Sequence, residues 1–334
     1  MLVSQIKKYN SVSIVGMAKN TGKTTCLNYV LSQLKDENYP VAVTSIGVDG
    51  EEKDILYNTL KPRITLHPGN IFITSEKHFN EKKLDAKIIH KSKSQTTLGR
   101  FFTAEALSVG EVILSGPSNS ELITEYISKL KNSNIALILI DGALNRMSLA
   151  SPSVTDALVL CTGAACTIKL EQLIKKVKYQ CELINIEKID NSTLYKIYKI
   201  NTGIWTIEDD NIIKLSDSLF YFDIDINMIL KKSKNIYIAG ALTDNFMKEL
   251  IRYKNIDKLN IIVPDFSHIF VSPQNYYKFI RRGGKFKVKQ NANLIAICSN
   301  PTSPEGYNYD PIVLRSALEK ELNVPVYDIF FLLK

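Results

Sequence analysis

Residues 11–25 read Ser11-Val-Ser-Ile-Val-Gly16-Met-Ala-Lys-Asn-Thr-Gly22-Lys23-Thr24-Thr25, a β-branched run followed by a glycine-bounded turn and then a helical pattern. That order matters. A turn between a strand and a helix lets successive backbone N–H groups and the helix N-terminus converge on anionic oxygens. In such a turn Gly22 permits close backbone approach and Lys23 would neutralise the β- and γ-phosphates of a nucleotide. The Thr24 hydroxyl would sit on Mg²⁺, and Thr25 would reach the α-phosphate. Gly16, Lys19, Asn20 and Thr21 complete the expected cradle. Five residues lie between Gly16 and Gly22, one more than in the commonest form of such turns, and Met17 stands where a glycine is usual.

Outward from this stretch, short β-branched runs alternate with helical patterns, as in parallel strands joined by crossover helices. After the helix over Lys23–Leu34, further strands are expected at Val41–Ser45, Asn70–Thr74, Glu111–Ser115, Ile135–Asp141 and Asp156–Cys161, and helices at Ser120–Lys131 and Ile168–Gln180. The segment Glu51–His90 is less regular, and Asn80–Ser94 reads as a loop or a mobile helix. The pattern weakens after Cys181, and a second series begins at Asn235–Gly240, running through helices at Asp244–Tyr253, Pro273–Arg282 and Asp310–Leu322. The expectation is an α/β chain: a P-loop NTPase domain with a mainly parallel sheet over 1–200, then a smaller α/β domain over 201–334, with the junction within 182–232.

Two acidic stretches complete the expected nucleotide site. Asn134–Asp141 (NIALILID) has the form of a buried strand ending in a carboxylate that reaches Mg²⁺ at the C-terminal edge of a sheet; an ordinary turn-capping Asp is the plainer alternative. Thr44-Ser-Ile-Gly-Val-Asp49-Gly-Glu51 follows the second strand, where Asp49 or Glu51 would bind Mg²⁺ or orient an attacking group, unless the stretch is a simple polar connection. Lys23, Asp49 and Asp141 are the catalytic candidates, and Thr24, Asp49, Glu51 and Asp141 the metal candidates.

Composition narrows the function classes. The 334 residues are 45% apolar and 23% charged, which excludes disordered, collagen-like and coiled-coil chains. The formal charge of +8 is carried by scattered lysines, and within the basic run Lys278–Lys289 (KFIRRGGKFKVK) the part Lys285–Lys289 alternates like an edge strand protecting itself with lysines. No nucleic-acid partner is therefore expected. The N-terminus turns basic and polar before any apolar stretch, and no window of about 18 apolar residues exists, so a cytoplasmic protein without a membrane partner is expected. Cys26, Cys161, Cys166, Cys181 and Cys298 show no short paired spacing and read as reduced core thiols. The four histidines share no ligand spacing, and Ser115-Gly-Pro-Ser118 reads as a helix cap or a substrate contact.

The long turn resembles that of dethiobiotin synthetase-like ATPases. Together with Thr44–Glu51 and Asp141-Gly-Ala-Leu-Asn-Arg146 it is similar to the P-loop subunit of the reactivase that serves adenosylcobalamin-dependent lysine 5,6-aminomutase and ornithine aminomutase. The resemblance continues through Gly240-Ala-Leu-Thr-Asp244, Ser299-Asn-Pro-Thr-Ser-Pro-Glu-Gly306 and Pro325-Val-Tyr-Asp328. It implies ATP and Mg²⁺ as ligands, ATP hydrolysis that drives release of damaged cobalamin from a client aminomutase, and a companion ATPase subunit, with a homodimer also allowed. The cobalamin would belong to the client, since no Asp-x-His-x-x-Gly pattern occurs. The alternative is an ATP-dependent ligase or kinase of the dethiobiotin synthetase type acting on a small carboxylate. A metallocofactor-insertion GTPase is a third reading, disfavoured because no N-K-x-D guanine signature is present.

Overall fold

The structure, a computed structural model, describes residues 2–45, 63–96, 98–117, 120–131, 134–143, 151–208, 211–217, 233–253, 256–257 and 259–328. In chain order the strands are β1 (Ser11–Gly16), β2 (Val41–Ser45), β3 (Ile64–Leu66), β4 (Ile71–Ser75), β5 (Ala86–Thr96) and β6 (Gly99–Ala106). They continue as β7 (Gly110–Val112), β8 (Leu137–Ala143), β9 (Ala157–Gly163), β10 (Ile204–Glu208), β11 (Asn211–Ser216) and β12 (Asn235–Ile238). The last are β13 (Leu242–Thr243), β14 (Asn260–Val263), β15 (Ile269–Phe270), β16 (Lys285–Val288), β17 (Leu294–Asn300) and β18 (Val326–Asp328).

The chain is α/β and divides into two compact units, one of residues 1–178 with 293–334 and one of residues 179–292. The first is built on a nine-stranded mixed sheet in the order β18-β17-β9-β1-β8-β2-β4-β6-β5. Neighbours from β18 to β4 run parallel, whereas β6 is antiparallel to both β4 and β5. Every residue of β1 and β9 is buried, as expected of central strands covered on both faces. Alternation along β8 shows the two cores. Leu137 and Leu139 join the cluster that holds Leu27 and Leu31 of helix Lys23–Lys35, while Ile138 and Ile140 join Ile123 and Ile127 of helix Ser120–Lys131.

The expected division at the junction within 182–232 differs from this arrangement. Strands β17 and β18, which the sequence order assigns to a second domain over 201–334, pair into the first unit's sheet, with Cys298 opposite Cys161 on β9. Their buried pattern would suit either sheet, so only long-range pairing decides. Two local expectations change as well. Residues 80–94 hold no long loop or mobile helix: β5 is the edge strand of the large sheet, with Lys87, Ile89, Lys91 and Lys93 on its exposed side. The strand expected at Glu111–Ser115 is only the short β7, paired antiparallel with β3 outside the large sheet.

The second unit has a five-stranded sheet in the order β11-β10-β12-β14-β16, in which β12, β14 and β16 are parallel and β10 is antiparallel to both its neighbours. The basic stretch Lys285–Lys289 supplies its edge strand, with Lys285 exposed and Phe286 buried against Tyr276 and Phe279. Helices Asp244–Leu250 and Pro273–Arg281 start on side-chain caps from Thr243 and Ser272. Asp244 joins the two helix starts by accepting from the Ser272 N–H at 2.7 Å and the Asn275 side-chain amide at 2.8 Å. Among the described residues no helix is long and apolar enough to cross a membrane.

Candidate functional site

Strand β1 ends at Gly16 and the helix begins at Lys23, so the six residues between them form a turn at the C-terminal edge of the parallel strands. The N–H of Met17 still donates to the Cys161 carbonyl at 2.9 Å, which carries the β1–β9 ladder one residue into the turn. Asn20 (φ 60°) and Gly22 (φ 87°) then take left-handed conformations, and Gly22 ends the turn as the helix N-cap. The Thr21 hydroxyl donates to the Ala18 carbonyl at 3.0 Å and holds the bend from inside.

Lys23 doubles back over the end of β1. A Cβ placed on Gly16 would lie 2.7 Å from both Cγ and Cδ of Lys23 and 2.5 Å from the Thr21 hydroxyl oxygen. Only a glycine there leaves room for the lysine stem. The helix starts without a side-chain cap, whereas helices starting near Ser75, Asp190, Thr243, Ser272 and Asp310 each have one. Its first N–H groups are therefore left to face an external acceptor. The Asn20 side-chain nitrogen is buried and has no hydrogen-bond partner among the described residues. An uncapped helix start and the lysine folded beside it are an arrangement that could hold an anionic oxygen.

Asp141 lies on β8, directly opposite Ile14 of β1 and Ser45 of β2, one strand away from the turn. The Ser45 hydroxyl donates to the Asp141 main-chain carbonyl at 3.2 Å, and the Asp141 charge is felt at Cys26 in the first helical turn after Lys23. The structure therefore brings Gly16, Lys19, Asn20, Thr21, Gly22, Lys23, Thr24, Thr25 and Asp141 to one edge of one sheet. The remaining candidates Asp49 and Glu51, the glycines Gly47 and Gly50, and Leu144–Arg146 and Ser118 of the quoted motifs lie outside the described residues.

Two further side chains act in ways that their local sequence does not signal. Asn300, at the end of β17, donates from its side-chain nitrogen to the Asn20 carbonyl at 2.9 Å, while its side-chain oxygen accepts from the Thr302 N–H and hydroxyl. It braces the turn from 280 residues away, and no local pattern could have signalled that. The second is a buried polar group near the C-terminal end of β4. The Ser115 hydroxyl accepts from the Ser75 N–H at 2.9 Å and lies 3.0 Å from Nδ1 of the buried His78 and 3.1 Å from the Thr74 hydroxyl. Ser115 thus belongs to a fully internal network, while Ser118 of the same stretch lies outside the described residues. No protein-family model matches this chain, and no curated protein or solved structure matches it.

Proposed function

We propose that this chain is a Mg²⁺-dependent P-loop ATPase that acts as the reactivase subunit for an adenosylcobalamin-dependent aminomutase, alongside a companion ATPase subunit. The observation that carries the nucleotide part is the turn at 16–23: a lysine folded over a glycine at the C-terminal end of a parallel strand, beside a helix whose N-terminus lacks a side-chain cap. The reactivase part rests on the sequence motifs of both units.

In this reading the N–H groups of the turn and of Lys23, Thr24 and Thr25 hold the phosphate oxygens, and the Lys23 ammonium neutralises charge on the outer phosphates. The Thr24 hydroxyl and the Asp141 carboxylate would hold Mg²⁺, which when bound supplies charge neutralisation for phosphoryl transfer. Asn300 holds the Asn20 carbonyl by donating to it, which steadies the turn. Any client is remodelled only to the extent that the nucleotide states bind it differently.

Titration calorimetry with Mg-ATP tests the site. Lys23→Ala is expected to weaken binding at least tenfold with an unchanged melting transition, and Asp141→Asn to reduce Mg²⁺-dependent hydrolysis more than binding. Undiminished affinity of the lysine variant would reject the site. ATP turnover stimulated by an aminomutase supports the reactivase, whereas turnover that requires a small carboxylic acid and yields a phosphorylated or cyclised product supports the ligase alternative.

A further inference from the structure

Three of the five cysteines, Cys26, Cys161 and Cys298, converge from a helix and two adjacent strands, although they are separated by well over a hundred residues in sequence. Each is at most 1% exposed. Their sulfur atoms all lie within 4.8 Å of one another, and those of Cys26 and Cys298 are 3.4 Å apart. Among the described residues this is the only cluster of three or more His, Cys, Asp or Glu side chains close enough to share an ion.

We propose that this cluster is a three-thiolate site for a thiophilic d¹⁰ divalent cation of the zinc and cadmium class. The spacing decides in its favour. Three sulfurs about 2.3 Å from a central ion in a trigonal plane stand about 4 Å apart, so the side chains need shift only by tenths of an ångström from where they are. Soft sulfur donors alone, with no carboxylate or imidazole among them, select such ions over magnesium or calcium.

Charge also balances. One M²⁺ and three thiols give one tris-thiolate complex and three released protons, which leaves a net charge of −1 in the core. The Lys23 ammonium bears on Cys161 and offsets that charge. The sulfur geometry stands independently of the nucleotide reading, and only the charge offset shares Lys23 with it.

The test uses the full chain, reduced and freed of metal, titrated anaerobically with Cd²⁺. The expected result is one equivalent bound, a sulfur-to-metal charge-transfer band, and three sulfur neighbours in X-ray absorption. Uptake should be slow and independent of Cd²⁺ concentration at saturation, because the buried site fills only on local opening. Cys26→Ala, Cys161→Ala and Cys298→Ala should each lower affinity at least a hundredfold, while Cys166→Ala and Cys181→Ala leave it unchanged. The wild-type stoichiometry and sulfur count stand even if a variant fails to fold. A folded wild-type chain that takes up no Cd²⁺, shows fewer than three sulfur neighbours, or binds equally well without the triad would overturn the proposal.

Discussion

Gly16 shows how much one missing methyl group decides. Its own backbone is ordinary extended strand, and the constraint is the Lys23 stem and the Thr21 hydroxyl pressed where a side chain would begin. Gly16→Ala should therefore leave the β1 ladder in place and push the lysine out of the cradle. Denaturant unfolding is expected to change by about 1 kcal/mol or less, while Mg-ATP affinity measured by calorimetry falls at least tenfold. Equal affinity in the variant would mean that the lysine reaches its ligand from another rotamer. The Gly-Lys-Thr-Thr stretch was legible in the sequence because its chemistry is local. The reason for Gly16 was only half legible, since the turn fixes that a glycine stands there but not what lies over it. Asn300 and the cysteine triad were illegible, because each depends on which strands become neighbours.

At the scale of elements, Asp156 ties together three starts and ends. Its carboxylate accepts from the N–H and hydroxyl of Ser11 at 2.9 and 2.8 Å, fixing the beginning of β1 next to that of β9, and from Lys131 at 3.0 Å at the end of helix Ser120–Lys131. Partial burial pushes the carboxyl up, but the Ser11 hydroxyl, the Lys131 ammonium and the Ser11 amide outweigh it and hold the group below its ordinary value. A depressed acid stabilises the fold above the pKa of the unfolded chain, about 4, and loses that contribution as pH falls through the folded value. Asp156→Asn should thus be less stable at pH 7 by about 1 kcal/mol, discounted for the carboxylate's partial exposure. The gap should narrow below about pH 4, as followed by urea denaturation across pH. A gap constant with pH would assign the loss to packing. The same scale explains the misreading of residues 80–94. A lysine-rich stretch looks like a solvated loop, yet an edge strand protects its open side with the same residues, and β5 does so with Lys87, Lys91 and Lys93.

For the whole molecule, the decisive fact is that the unit of residues 179–292 interrupts the other in sequence. Local patterning marks β12 and the helices near Asp244, Pro273 and Asp310, misses the helix Asn191–Ile197, and cannot say which sheet a strand joins. The seven residues of β17 are as suited to one parallel sheet as to the other, and only their register against β9 settles the matter. A chain stopped after residue 292 would leave β9, buried along its whole length, as an unprotected edge. Such a chain is expected to aggregate, read as loss of the monomer peak in size-exclusion chromatography. A soluble, well-folded monomer would show that β17 and β18 are dispensable to the sheet.

The grip of Asn300 on Asn20 extends this to the order in which the protein is made. The residue that steadies the bend after β1 leaves the ribosome 280 positions after Asn20. Until then the bend lacks its brace and the sheet its last two members. On the proposed nucleotide reading, a nascent or proteolytically clipped chain that lacks Asn300 would hold its phosphate turn less firmly than the finished one.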